Sequence, residues 1–270
     1  MAVDHSWQAL LNPGGGSVFF NADRPGRLDG TADGFSPVNA WWLSELSRLI
    51  YKKDHTEGVD SVLSRNDHLA RVGMTEGRFF NRQHIQAALV ATLGAGRSPC
   101  RVLVFRGTAG PLSNWRFNLD IVPTAWAAGG NVHRGFQRLL KVVWEAIDTA
   151  LDELDGPLLY TGHSMGGALA TLAASLRRPQ AVYTFGAPRV GDAAFAETLR
   201  GIPVFNVINA RDIVTGLPPA GRWSRFVHAG VIVKNADAPS PERRLAQAPA
   251  LFADHAPTNY TAQLPVAFGT

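Results

Sequence analysis

Leu158-Leu159-Tyr160-Thr161 runs directly into Gly162-His163-Ser164-Met165-Gly166-Gly167-Ala168-Leu169-Ala170, and this stretch decides the fold. The apolar run predicts a buried strand, and the leucines that follow recur at the spacing of a helix. Between the two lies a serine in the pattern G-x-S-x-G, which presents a hydroxyl on a sharp turn from strand to helix. The stretch therefore predicts that Ser164 is a nucleophile, held with strained backbone angles between glycines that avoid collisions.

The alternation of strand and helix continues on both sides of this turn. Apolar runs predict further strands at 84–93, 101–106, 181–186, 203–208 and 226–233. Helical periodicity predicts helices at 39–50, 133–153 and 192–200. Alternating elements favour right-handed crossovers, so we expect an α/β protein with a mostly parallel central sheet and helices on both faces.

Length and composition indicate one globular unit. The chain has 270 residues, of which 46% are hydrophobic and 18% charged, and this supplies enough apolar surface for a sizeable core. Residues 12–37 are rich in glycine and proline, so we predict a loop-rich lead-in over 1–37 and a single α/β domain over 38–270.

Charge and cysteine content narrow the class of protein. The formal charge of +4 comes from scattered arginines without a basic patch, which argues against nucleic-acid binding. The single Cys100 allows no internal disulfide, and we expect it to be a buried, inert thiol. The sequence shows neither a secretory signal nor a membrane span. We expect a soluble protein, either cytoplasmic or exported by a non-classical route.

The glycine-rich turn could alternatively cradle a phosphate at a helix N-terminus. It lacks both the lysine of a P-loop and the spacing G-x-G-x-x-G, which disfavours that reading. His163 precedes the serine and is expected to point into the scaffold, so it is a poor candidate for a general base.

The order Ser, acid, His of this kind of site places the base beyond Ser164. Only His228 and His255 follow it. We favour His255, which lies in a loop context, because His228 is expected to lie inside an apolar strand.

The acid is expected to follow the strand at 203–208, because functional loops of parallel sheets leave the carboxyl ends of the strands. Asp212 lies four residues past that strand. Asp192 is better placed to cap a helix, Asp254 is adjacent to the base, and Asp237 lies in a turn without further support. Asp212 is therefore the predicted acid.

At this point the sequence resembles the class 3 lipases, the family of the filamentous-fungal triacylglycerol lipases and their bacterial relatives, over about residues 39–260. Beside the serine motif, the matching stretches are Val104-Phe105-Arg106-Gly107-Thr108, Asn114-Trp115, Val132-His133-Arg134-Gly135-Phe136, Phe185-Gly186-Ala187-Pro188-Arg189-Val190-Gly191, Asp212 with Leu217-Pro218-Pro219, and His255 with Tyr260. The resemblance implies an α/β-hydrolase fold and a triad of Ser164, Asp212 and His255. It also implies an oxyanion hole formed by Thr108 and the amide of Met165.

The activity implied is a serine carboxylic-ester hydrolase, most simply a lipase that cleaves acylglycerol esters and needs no metal or cofactor. A phospholipase A or a short-chain carboxylesterase would use the same triad, and an amidase or acyltransferase is less favoured. A catalytically silent binding module is disfavoured, because all three triad candidates are present.

The family places a mobile lid before Val132. Here Leu112, Trp115 and Phe117 follow a Gly-Pro pair, so this segment can seat transiently on lipid or cover an acyl groove; equally, the three can be core residues. Leu217 is expected to line the acyl pocket.

Overall fold

A seven-stranded sheet organises the molecule. The computed structural model describes residues 4, 6–15, 18–20, 24–53, 63–93, 99–108, 120–209, 211–219, 225–235 and 249–264. The strands are β1 Met74–Arg82, β2 Ile85–Thr92, β3 Arg101–Phe105, β6 Leu158–His163, β7 Ala181–Phe185, β8 Val204–Ile208 and β9 Val231–Lys234, side by side in that order. The first two pairings are antiparallel and the rest are parallel, so the predicted α/β fold with a mostly parallel sheet is confirmed. A separate hairpin pairs β4 Pro123–Ala125 with β5 Asn131–His133.

Helices cover both faces of the sheet. They are α1 Trp7–Leu11, α2 Pro37–Leu49, α3 Arg65–Ala70, α4 Arg134–Asp152, α5 Met165–Leu176, α6 Ala193–Thr198, α7 Ala250–Ala253 and α8 Pro257–Gln263. The apolar stripe of α4 and seven of the twelve residues of α5 belong to one core cluster, while α2 and α8 contribute to a second cluster on the opposite face. Continuous apolar strands such as β7, which is buried along its whole length, fit between these two layers.

One strand prediction needed correction, and one strand was missed. The last strand was predicted over 226–233 but begins at Val231, because Gly230 has a φ of 79° and packs against Val204, which breaks the extended run. His228 therefore lies before the strand rather than inside it. Strand β1 was not predicted, since its sequence mixes charged and aromatic residues along an edge of the sheet.

The stretch predicted as a loop-rich lead-in contains helix α1 and two buried aromatic residues, Phe19 and Phe20. The amide of Phe20 donates to the Glu45 carboxylate at 2.7 Å, which attaches this stretch to α2. The division of the chain into a lead-in over 1–37 and a domain over 38–270 stays a prediction. Within the described ranges, the structure has no helix with the length and apolar character needed to cross a bilayer.

Candidate active site

Ser164 lies on the turn that joins β6 to α5. Its φ of 57° and ψ of −127° fall in a region that side-chain-bearing residues rarely adopt, and such strain persists only where the surroundings enforce it. The amide of Ser164 donates to the carbonyl of Phe185 at 2.9 Å, at the end of β7. The predicted strained turn is therefore present, with the serine at the carboxyl edge of the sheet.

The glycines of the turn allow the helix to approach the sheet closely. A Cβ on Gly166 would lie 2.2 Å from the carbonyl oxygen of Phe105 in β3, and one on Gly162 would lie 2.3 Å from the main chain of Gly166. These contacts are with backbone atoms, which cannot move aside. The sequence expectation that side chains here would collide is confirmed.

The three side chains predicted to form the triad lie in one hydrogen-bonded row. Nε2 of His255 is 3.0 Å from Oγ of Ser164, and Nδ1 is 2.8 Å from Oδ2 of Asp212. All three residues are buried. A carboxylate only accepts, so Nδ1 carries the proton and Nε2 is free to accept from the serine hydroxyl.

The Asp212 carboxylate is held by its own turn. Its Oδ1 accepts a hydrogen bond from the amide of Val214 at 2.8 Å and thereby caps the 3-10 helix Ile213–Gly216, which begins five residues after the end of β8. Oδ2 accepts a hydrogen bond from the hydroxyl of Tyr260 at 2.6 Å, in addition to the one from Nδ1 of His255. Burial first, and the adjacent Asp212 charge second, raise the pKa of Tyr260 well above its usual value, so its hydroxyl stays a donor.

The segment that carries His255 connects α7 to α8. Polar side chains attach it to the stretch over 209–216, which contains Asp212 and is called the acid turn below. Nδ2 of Asn209 donates to the carbonyl of Asp254 at 2.8 Å, and Nε of Arg211 donates to the Asp254 carboxylate at 3.0 Å. The amide of Asn209 also donates to the hydroxyl of Tyr260, at 3.3 Å. Asn209 and Arg211, just before Asp212 in the sequence, therefore hold Asp254, the residue directly before His255.

Thr108 and Met165, the predicted oxyanion-hole residues, lie on touching segments. Thr108 follows β3, whose end packs against the start of α5, and its hydroxyl is 3.4 Å from the sulfur of Met165. Met165 is the first residue of α5, and the first amides of a helix have no acceptor within it. The amide of Met165 is thus available as a donor directly after Ser164, while an oxyanion hole formed by Thr108 and Met165 stays a prediction.

The other histidines and carboxylates considered from sequence lie elsewhere. His228 donates through Nε2 to the carbonyl of Thr215 at 2.8 Å, and burial lowers its pKa. Asp192 caps α6 by accepting the amide of Phe195, as predicted. Cys100 is buried, and burial raises the pKa of its thiol to about 12, as expected of an inert thiol.

The predicted lid and pocket residues are only partly visible. Leu112, Trp115 and Phe117 lie outside the described residues, as does Asp237. Leu217 is half-buried next to the acid turn, and its carbonyl accepts the amide of Arg189 at 2.7 Å. Its role in a pocket stays a prediction.

Sequence reasoning missed several polar side chains around the row. Tyr260 was noted only within a matching stretch, Asn209 and Arg211 were passed over beside Asp212, and Tyr51 was not considered. The one available signal was the concentration of polar residues directly after a buried strand, in Asn209-Ala210-Arg211-Asp212.

Fold and geometry together define an α/β hydrolase with a Ser, His and Asp arrangement. A family described as Lipase (class 3) matches residues 102–221. The chain belongs to this class 3 lipase family, as the structure of Rhizomucor miehei triacylglyceride lipase also indicates: it is 31% identical, with a TM-score of 0.53 over 61% of this chain and 68% of that one.

Curated relatives are also similar in sequence to this chain, over shorter stretches. A lipase of Rhizomucor miehei is 40% identical over 47% of this chain and 39% of its own length. A secreted mono- and diacylglycerol lipase of Fusarium solani is 36% identical over 39% of this chain and 36% of its own. The chloroplastic phospholipase A(1) DAD1 of Arabidopsis thaliana is 34% identical over 43% of this chain and 33% of its own length. The chain thus spans less than two-fifths of the length of these relatives.

Proposed function

We propose that this protein is a serine carboxylic-ester hydrolase, and specifically a lipase that cleaves acylglycerol esters. The observation that carries the proposal is the row from Ser164 through His255 to Asp212, whose hydrogen bonds have lengths of 3.0 and 2.8 Å. Membership of the class 3 lipase family and the names of the lipase relatives support the choice of substrate.

The first half of the reaction forms an acyl-enzyme. The oxygen of Ser164 attacks the ester carbonyl carbon while its proton passes to Nε2 of His255. The negative charge that develops on the carbonyl oxygen is stabilised by the amides of Thr108 and Met165, a type of contact worth about 3 kcal/mol each. The bond to the alcohol then breaks, and His255 returns the proton to the departing oxygen.

The second half repeats these steps with water. Nε2 of His255 takes a proton from water, which attacks the acyl carbon, and the proton then returns to Ser164 as the acid leaves. Asp212 accepts from Nδ1 throughout, so it stabilises the imidazolium that forms twice in each cycle.

The first test is Ser164→Ala, assayed with a soluble p-nitrophenyl ester. We expect turnover to fall about a millionfold, as is typical when a triad nucleophile is removed, with the melting temperature retained. Near wild-type hydrolysis in this variant would refute the assignment of Ser164.

A phospholipase A is the second candidate, favoured by the similarity to phospholipase A(1) DAD1 of Arabidopsis thaliana. A short-chain carboxylesterase is a third, since the triad is common to all three. A series of p-nitrophenyl esters of rising chain length, compared with a triacylglycerol and a phospholipid, separates them. The lipase proposal requires long acyl chains on glycerol to be preferred.

The lid remains a hypothesis, based on the apolar residues Leu112, Trp115 and Phe117. If they seat on lipid, activity rises sharply once the substrate exceeds its solubility limit. A smooth saturation curve through that limit would contradict interfacial activation.

Of the two predicted compartments, export is favoured over the cytoplasm by the similarity to a secreted lipase of Fusarium solani.

A further inference from the structure

His163, the residue directly before the serine, is buried and has both ring nitrogens hydrogen-bonded. Nε2 lies 2.7 Å from the main-chain carbonyl oxygen of His255, and Nδ1 lies 3.0 Å from the hydroxyl of Tyr51. A carbonyl only accepts, so the proton must be on Nε2, and Nδ1 must accept from Tyr51. One tautomer alone satisfies both contacts.

Tyr51 extends these contacts to the predicted oxyanion hole. Its hydroxyl donates to His163 and lies against Gly107, the residue before Thr108. The fit is close, because a Cβ on Gly107 would lie 2.0 Å from the Tyr51 oxygen. Burial raises the pKa of Tyr51, so the hydroxyl keeps the proton that it donates.

His163 also stays neutral beside the base. The rings of His163 and His255 are 4.6 Å apart between centroids, and His255 becomes positively charged during each proposed cycle. Burial, followed by the proximity of His255, lowers the pKa of His163 well below its usual value. A second cation at this distance would oppose formation of the imidazolium, whereas a neutral donor does not.

We propose that His163 is a positioning residue, which ties the main chain of the base to the turn that carries the nucleophile. Ser164 and His163 are neighbours on one rigid turn, so the bond from His163 to the His255 carbonyl fixes the imidazole relative to the serine oxygen. Tyr51 orients His163 and joins the end of β3 to the same unit. The proposal rests on the proposed hydrolase function.

The test uses three replacements of His163 in the full-length protein. A glutamine can place its side-chain nitrogen near Nε2 and still donate to the His255 carbonyl. An asparagine reaches only as far as Nδ1, and a leucine forms no hydrogen bond. His228→Gln is the matched control, because His228 also donates to a main-chain carbonyl, that of Thr215, rather than to that of His255.

We expect His163→Gln to keep kcat within about threefold of wild type, while asparagine and leucine lower it roughly 10- to 100-fold, as small displacements of catalytic groups do. KM should stay unchanged, since His163 is predicted not to touch the substrate. Tyr51→Phe should give an intermediate loss of kcat.

Two results would overturn the proposal: equal kcat values for the glutamine and asparagine variants, or losses of kcat that simply follow the melting temperature across the series. Both results can be obtained only if the wild-type protein hydrolyses the ester. Failure of the hydrolase function would instead appear as wild-type protein without ester hydrolysis, so the two failures are distinguishable.

Discussion

The nucleophile turn and the base-bearing segment hold their catalytic candidates in different ways. The turn from β6 to α5 is made by consecutive residues, and its shape follows from backbone packing at Gly162 and Gly166. The segment over 249–264 has short helices, and its contacts come from side chains distant in sequence. A local motif is enough to specify the first region, whereas the second depends on the completed fold.

This difference extends to the energetics. At the turn, close backbone contact excludes any side chain, so a substitution there acts on the stability of the whole sheet. At the base-bearing segment, each polar bond is worth only about 1 kcal/mol, but losing one displaces the imidazole. We therefore expect substitutions at the turn to lower mainly the stability. Substitutions around the base-bearing segment should lower mainly kcat.

The largest effect is expected at the turn. Gly166→Ala places a Cβ 2.2 Å from the carbonyl oxygen of Phe105, so β3 and α5 must separate, and we expect a loss of about 3 kcal/mol in the free energy of unfolding. Urea unfolding measures this. Gly34→Ala is the control, because no atom lies within 4 Å of its added Cβ. Equal stability of the two variants would show that the turn tolerates a side chain.

A smaller effect, on kcat, is expected at the base-bearing segment. Asn209→Ala removes the bond to the carbonyl of Asp254, and the displaced base should lower kcat roughly 10- to 100-fold with KM unchanged. Asn206→Ala is the matched control, because Asn206 is also buried in this region and donates to a carbonyl, that of Ala229, at 2.6 Å. Both variants should lose about 1–3 kcal/mol of stability. Equal kcat values for the two would contradict a positional role for Asn209.

The smallest effect concerns His228, the alternative base. Burial lowers its pKa in the folded protein below the usual 6.5, so the unfolded chain binds a proton first as the pH falls. Its contribution to stability is therefore present above pH 6.5 and declines as the pH falls below that value. His228→Gln should make the decline shallower while kcat stays at the wild-type level. A large loss of kcat would return His228 to the candidates for the base.

The fold, and the choice of the three side chains that lie in the hydrogen-bonded row, could be predicted from sequence for a physical reason. Strands and helices alternate, and the strand buried on both faces before Ser164 gives a clear apolar run. Asp212 and His255 followed from the order of elements and from the carboxyl edge of the sheet. Edge strand β1 has no such run, and β9 was extended too far because the left-handed Gly230 was read as part of a strand.

Polar contacts between distant segments gave no sequence signal. The reciprocal bonds between Asn259 and the main chain of Asp4 join residues 255 positions apart, and no periodicity predicts them. His163 illustrates the same limit: its position next to the serine correctly predicted that it points into the scaffold. That its ring would support the base became visible only once Tyr51 and His255 were placed around it.

The most direct test of the central claim is labelling of the full-length protein by a fluorophosphonate, followed by mass spectrometry of the peptides. If Ser164 is activated by His255 and Asp212, one phosphonyl group should be found, on Ser164. Labelling should then slow by about 10³- to 10⁴-fold in Asp212→Asn. An adduct on another residue, or an unchanged rate in Asp212→Asn, would contradict the account.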